Sequence, residues 1–223
     1  MSVDDVTLAI LGGTGDQGRG LAYRFARAGQ RVLIGSRDAE RGAAVAAELS
    51  ALPGAEAGRV TGGDNATVSA EADLVIVAVP YDGHAKTLES VRDQLAGKIV
   101  VDCVNPLGFD KRGPYALEVP EGSAAEQALA LLPESRVVAG FHHISAVLLA
   151  DPEVAEIDTD VLVLGDDREA TDLVIALAGR IPRIRGVYAG RLRNARQVEA
   201  LTANLIAVNR RYKSHAGIRV TDV

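Results

Sequence analysis

The most apolar stretch of the chain is Leu74 to Val79 (LVIVAV), where no polar residue interrupts the run. A strand with one wet face would alternate, so this pattern predicts a strand buried on both faces of a parallel sheet. Lys98 to Val101 reads the same way. Shorter branched runs at Val6–Leu11 and Val32–Gly35 predict two more strands, and Val60–Thr61 a weaker one. Between them the period lengthens to that of a helix. Gln17–Ala28 places Leu21, Phe25 and Ala28 on one face, with Gly29 positioned to end it. Asp38 suits the N-cap of a helix running to about Leu49. Asp82–Leu95 reads as one helix and Ala124–Leu132 as another. Val137–Ala139 is strand-like; Val161–Gly165, Arg168–Gly179 and Ile184–Gly186 read as strand, helix and strand. Leu192–Tyr212 is a long helix with Leu201, Leu205 and Val208 on one side. Residues 105–122 hold three prolines and three glycines without an apolar period, so they are expected to be a loop.

Alternation of this kind predicts an α/β fold, a doubly wound and mostly parallel Rossmann-type sheet with a small C-terminal helical extension. The expected division is a dinucleotide-binding domain at 1–150 and an addition at 151–223. A chain of 223 residues can bury one good core. Apolar residues make up 48% of it and the mean hydropathy is +0.10, which excludes a disordered chain. No apolar run approaches the roughly 20 residues of a membrane span. The N-terminus lacks the basic start and apolar core of a secretion signal. A cytoplasmic protein is expected. The single cysteine, Cys103, cannot form an internal disulfide.

The net charge of −6 is unevenly spread. Residues 180–223 carry ten Lys and Arg against two Asp and Glu, on an otherwise acidic body. This is either a solvated basic helix or a cationic rim for a polyanionic ligand. Nucleic acid is not expected, because no binding motif accompanies the charge and aromatics are only 4%.

The informative motif is G-x-G-x-x-G at Gly13, Gly15 and Gly18, between the first strand and the first helix. Gly13 is expected to make the tight turn. Gly15 would let backbone approach a pyrophosphate, and Gly18 would let helix pack on strand. Amides of the first helical turn would donate to phosphate, joined by the Thr14 and Gln17 side chains. Dinucleotide proteins that take NAD place an acidic residue after the second strand. Here the chain reads Gly35-Ser36-Arg37, with Arg41 one turn later. A hydroxyl and guanidinium groups bind a ribose phosphate that a carboxylate would repel, so NADP is favoured over NAD.

Ligands of open α/β sheets bind at the carboxyl ends of strands. Val79, Pro80 and Tyr81 end the fourth strand, with His84 just beyond; Val104, Asn105 and Pro106 end the fifth. His142 and His143 follow a later strand end. As neighbours they point apart, so at most one is expected to serve the site. There is no H-E-x-x-H, no Cys/His cluster and no G-x-S-x-G, so neither a metal nor a serine nucleophile is expected.

Together these segments resemble the F420-dependent NADP reductases. The resemblance rests on LAILGGTGDQGRGLAYRFARAGQRVLIGSRDAERG, VAVPYDGHA, KIVVDCVNP, AGFHHISAVLLAD, VLVLGDD and NRRYKSHAGIRV. It implies an oxidoreductase that passes a hydride between NADP(H) and the deazaflavin coenzyme F420. It implies NADP contacts at Thr14, Gly15, Asp16, Gln17, Ser36, Arg37, Arg41, Val79, His84, Ala146 and near Gly217. The deazaflavin would lie near His142, Ile144 and Ser145, with His142 and Ser145 the candidates for a part in catalysis. One departure is Ser145, where archaeal members carry proline. A reductase of another small acceptor and a non-enzymatic NADP sensor are the alternatives. A homodimer is expected, because the apolar face of the last helix needs a partner, unless it packs on its own domain.

Overall fold

A computed structural model describes residues 2–55 and 58–223. Among these residues the ten strands are β1 (Thr7–Leu11), β2 (Arg31–Ser36), β3 (Val60–Asp64), β4 (Leu74–Val77), β5 (Ile99–Asp102), β6 (Leu107–Asp110), β7 (Gly113–Ala116), β8 (Arg136–Ala139), β9 (Thr159–Gly165) and β10 (Ile184–Gly190). The helices are α1 (Asp16–Arg27), α2 (Ala39–Ser50), α3 (Asn65–Glu71), α4 (His84–Ser90), α5 (Arg92–Leu95), α6 (Ala124–Leu131), α7 (Ala146–Ala150), α8 (Arg168–Ala178) and α9 (Ala195–Tyr212).

Eight strands form one sheet in the order β10-β9-β8-β5-β4-β1-β2-β3. The six from β8 to β3 are parallel to one another. β4 and β5 are buried at every residue, as their unbroken apolar runs require. One core lies on each face of the sheet, one around Phe25, Ile76 and Val174, the other around Val75, Leu88 and Ala125. The chain reverses its winding between β1 and β4. Their carboxyl ends, Leu11 and Val77, therefore open a crevice where ligands of such sheets bind.

Several elements differ from the sequence reading. The helix expected over 82–95 is a short 3-10 turn at Tyr81–Gly83, then α4, then α5. The break falls at Val91 (φ −125°, ψ 14°). There Ser90 Oγ donates to the Thr87 carbonyl at 2.7 Å and competes with the helical amide. The glycine- and proline-rich loop contains the antiparallel hairpin β6–β7. Asp110 Oδ1 makes its turn by accepting from the amides of Arg112 and Gly113. β9 runs antiparallel to β8, while β10 pairs parallel to β9, so residues 151–223 extend the same sheet. The last helix is a 3-10 turn at Leu192–Asn194 leading into α9. Leu201 and Leu205 are half-buried and Val208 is exposed.

Candidate functional site

The turn after β1 is built by backbone contact. Gly12 is its left-handed residue (φ 78°), and a Cβ there would sit 2.6 Å from the Ala78 carbonyl oxygen. The tight turn expected at Gly13 is thus made by Gly12, because that residue must pass against the loop after β4. Gly13 is needed for a different reason, since its Cβ would lie 2.9 Å from the Ile10 carbonyl oxygen. At Gly18 a Cβ would lie 2.5 Å from the Gly12 oxygen and 2.8 Å from Gly13 Cα, so α1 starts hard against the loop rather than the strand. Gly15, the N-cap of α1, is the exception: a Cβ there meets only Gly12 oxygen, at 3.5 Å. The protein has room for a side chain at this position, and that room faces a cavity.

That cavity has a volume of about 960 Å³ and runs over Gly12, Thr14 and Gly15 to Ser36, Arg37 and Arg41. Asn65, Lys86 and Thr87 line it further along, beside Ala78, Val79 and Pro80. Among the described residues Arg37, Arg41 and Lys86 form no ion pair with a carboxylate. Asp38 also lines the cavity, but its Oδ1 accepts from the amides of Glu40 and Arg41 and so caps α2. Asn65 Oδ1 is buried without a partner. Sequence reasoning missed Asn65 and Lys86. Asn65 follows a strand end, the same signal that pointed to Pro80.

A second cavity of about 470 Å³ meets the first at Ala78, Val79 and Pro80. Val104, Asn105, His142, His143, Ile144, Ser145 and Ala146 line it, as do Cys103 and Gln17. α9 and the segment after it contribute Thr202, Leu205, Ile206, Asn209, His215 and Ala216; of these the sequence pointed only to Leu205, and as part of an apolar face rather than of a site. The His142 carbonyl accepts from Asn105 Nδ2 at 2.8 Å and from Thr202 Oγ1 at 3.1 Å. Phe141, in the left-handed region at φ 63°, is buried edge-on against Phe25 and accepts from Gln17 Nε2.

Both neighbouring histidines border this cavity, although at most one was expected there. Both ring nitrogens of His142 are buried without a partner. Burial pushes both imidazoles down to about 4, so they are neutral near pH 7. His143 Nε2 accepts weakly from the Leu162 amide. Burial drives the Cys103 thiol upward, which keeps it protonated, and Sγ donates to the Val77 carbonyl.

Other expected contacts lie elsewhere. His84 is wholly buried and lines neither cavity. Its Nε2 lies 2.6 Å from Asp102 Oδ2 and its Nδ1 2.9 Å from Gln127 Oε1. Burial opposes its charge, but Asp102, joined by Gln127 and Glu199, outweighs that and raises its pKa. The pair works beneath the rim, where Asp102 Oδ1 accepts from the Val104 amide at 3.1 Å. Gln17 turns to the second cavity rather than the glycine loop. Asp16 is exposed and lines neither cavity. Gly217 lies on β9 instead, where a Cβ would come within 2.4 Å of Thr159 Oγ1. No group of three metal-ligating side chains occurs among the described residues, and none of their helices is long and apolar enough to cross a membrane.

Residues 7–106 match the family model described as NADP oxidoreductase, coenzyme F420-dependent. The chain is 41% identical to the F420-dependent NADP reductase of Methanothermobacter thermautotrophicus, over 97% of its own length and 95% of the relative's. It is 40% identical to the enzyme of the same name from Methanocaldococcus jannaschii, over 97% and 98%. A crystal structure from Arthrobacter, assigned as an F420-dependent NADP-reductase, superposes with a TM-score of 0.79 at 30% identity, covering 97% of this chain and 99% of that one.

Proposed function

This chain belongs to the F420-dependent NADP reductases, and we propose that its two confluent cavities divide the two substrates of that reaction between them. It is an oxidoreductase that transfers a hydride between NADP(H) and coenzyme F420. The observation that carries the division is the meeting of the two cavities at Ala78, Val79 and Pro80, with the phosphate-binding features confined to one of them.

In the first cavity the open space at Gly15 fits a pyrophosphate, held by Thr14 and by the amides that open α1. Ser36, Arg37 and Arg41 hold the ribose phosphate. They are free to do so because Asp38, the nearby carboxylate, is occupied by its own helix. Lys86 adds a third positive charge. Val79 and Pro80 seat the nicotinamide end, and Val104, Asn105, Ile144, Ser145 and Ala146 shape the place of the deazaflavin. Residues 1–150 thus supply the NADP-binding domain and residues 151–223 close the deazaflavin side.

The bound heterocycles supply the chemistry, a hydride passing between nicotinamide C4 and deazaflavin C5. The chain's own work is to align them and keep water out. Neutral His142 and buried Ile144 give the second cavity an uncharged wall. Asn105 and Thr202 lock that wall by holding the His142 carbonyl. The His84–Asp102 pair fixes the Val104 amide from below. We place the enzyme in the cytoplasm as a homodimer.

Mixing the protein with NADPH and oxidised F420 is expected to bleach the deazaflavin absorbance, and NADH is expected to do so far more slowly. Replacing Arg37 and Arg41 together with alanine is expected to raise the KM for NADPH by at least about 100-fold, since two charge-assisted contacts at about 1.5 kcal/mol or more each are lost, and to spare NADH. Equal use of NADH by the parent chain overturns the assignment of the ribose-phosphate site. NADPH binding without turnover overturns the reaction.

A further inference from the structure

The cavities do not explain why β9, next to the edge strand of the sheet, buries a carboxylate. Asp160 of β9 is 0% exposed. Arg185 donates to it twice, from Nε to Oδ1 at 3.0 Å and from Nη2 to Oδ2 at 2.8 Å. Arg219 Nη1 donates to Oδ1 at 2.6 Å, and the Val220 amide to Oδ2 at 2.7 Å. The backbone on either side is fastened as well. Asp160 N donates to the Ile218 carbonyl at 2.8 Å, and Thr159 Oγ1 accepts from the Ile218 amide at 3.1 Å. Arg185 Nη2 also reaches the Val220 carbonyl, and Arg219 reaches Asp158.

Six of these contacts hold residues 218–220, which belong to no helix or strand. A buried ion pair is a costly way to gain stability, and a terminal segment without secondary structure is ordinarily free to fray. The cluster instead fixes where this segment lies. Upstream, Asn209 Oδ1 of α9 accepts from the Ala216 amide at 2.6 Å. Between the two anchors are His215 and Ala216, both walls of the second cavity, and His215 Nδ1 comes within 3.3 Å of Ser145 Oγ. Gly217 lies flat on β9 only because it has no side chain, since a Cβ would sit 2.4 Å from Thr159 Oγ1 and 2.7 Å from Thr159 Cβ.

We propose that Asp160 and Gly217 are positioning residues for the deazaflavin: they pin the C-terminal segment to β9 so that His215 and Ala216 complete the second cavity. The inference rests on the reading of that cavity given above. It assigns the basic residues Arg185 and Arg219 to an internal clamp rather than to a surface that meets ligand.

The test uses the full chain carrying Gly217→Ala and, separately, Asp160→Asn, with thermal unfolding as the check on folding. Both are expected to speed amide hydrogen exchange over residues 216–220. Both are expected to raise the Kd for F420, read by quenching of its fluorescence without turnover, on the order of five- to ten-fold, the scale of one lost hydrogen bond. Adenosine 2′,5′-bisphosphate, which reaches only the first cavity, is expected to bind as it does to the parent. Unchanged F420 affinity in both variants overturns the proposal, whether or not exchange speeds up. So does a parallel loss of both ligands, which would mean general loosening. If the parent binds the bisphosphate but not F420, the functional reading has failed and the inference falls with it, a result visible before any variant is made.

Discussion

Glycines of one loop can be required by two unrelated demands, and here the demands separate by position. Gly18 answers to the protein: a methyl group there would overlap the Gly12 carbonyl. Gly18→Ala is therefore expected to lose about 1–3 kcal/mol of stability, the usual scale for overpacking, in urea titration. Gly15 answers to the ligand, because the protein alone offers a Cβ ordinary contact at 3.5 Å. Gly15→Ala is expected to unfold within about 0.5 kcal/mol of the parent, as for a surface change, yet to bind NADPH at least tenfold more weakly by calorimetry. A stable Gly18→Ala, or a Gly15→Ala that keeps full affinity, contradicts this division. The loop was legible from sequence because its spacing expresses backbone sterics within seven residues. His84 was not. It sits one residue into α4, where the rim rule points to a ligand, but its direction is set by Asp102 on another strand and Gln127 on another helix. Local sequence carries no trace of those partners.

At the scale of elements, α9 illustrates how a surface-looking helix becomes part of a site. Its apolar stripe was readable, but its role in lining the second cavity was not, because that depends on how it crosses the strand ends. Glu199 locks the crossing. Its two carboxylate oxygens accept from the amides of Ala124 and Ala125 at the start of α6, at 3.0 and 3.1 Å. Burial nevertheless raises its pKa to about 7. The folded state then binds a proton that the unfolded state lacks between the ordinary 4.5 and about 7, so Glu199 gains stability as pH falls through that window. His142 and His143 act in the opposite sense. Depressed from 6.5 to about 4, they stay neutral while the unfolded chain takes up protons, so stability falls as pH drops between those values. Each group changes stability by up to about 1.4 kcal/mol per pH unit. The parent is expected to lose stability between pH 6.5 and 4.5 with Glu199 partly offsetting the histidines. Glu199→Gln is expected to steepen that loss and His142→Met to flatten it, by urea titration at a series of pH values. Parallel profiles for all three proteins would show that these groups do not titrate as described.

For the whole molecule, strand–helix alternation was enough to foretell the parallel sheet and the crevice at its switch point. It could not foretell that β9 reverses direction, since one apolar run serves either orientation. Nor could composition say how the basic C-terminal stretch is used. Arg183, Arg185 and Arg219 pair with Glu156, Asp158 and Asp160, and Arg191 with Asp166. Arg180 pairs with Asp4. The rest, Arg193, Arg196, Arg210, Arg211 and Lys213, form no ion pair with a carboxylate among the described residues and lie just before, on or just after α9. The same region carries unspent apolar surface. Among the described residues, four of the eight exposed large hydrophobic side chains, Phe109, Tyr115, Val208 and Tyr212, belong to the β6–β7 hairpin and to α9, which packs on β7. Tyr212 is 73% exposed and Phe109 66%. A second copy of the chain would cover such a face, and like charges along α9 would then require the two helices to meet off-centre rather than side by side. Sedimentation velocity is expected to give a dimer for the parent and a monomer for the double variant Val208→Glu, Tyr212→Glu, with the monomer retaining NADPH affinity because the first cavity lies on the far strands β1, β2 and β3. A parent that sediments as a monomer at micromolar concentration removes the dimer from the account and leaves both cavities, and the clamp on β9, as they are.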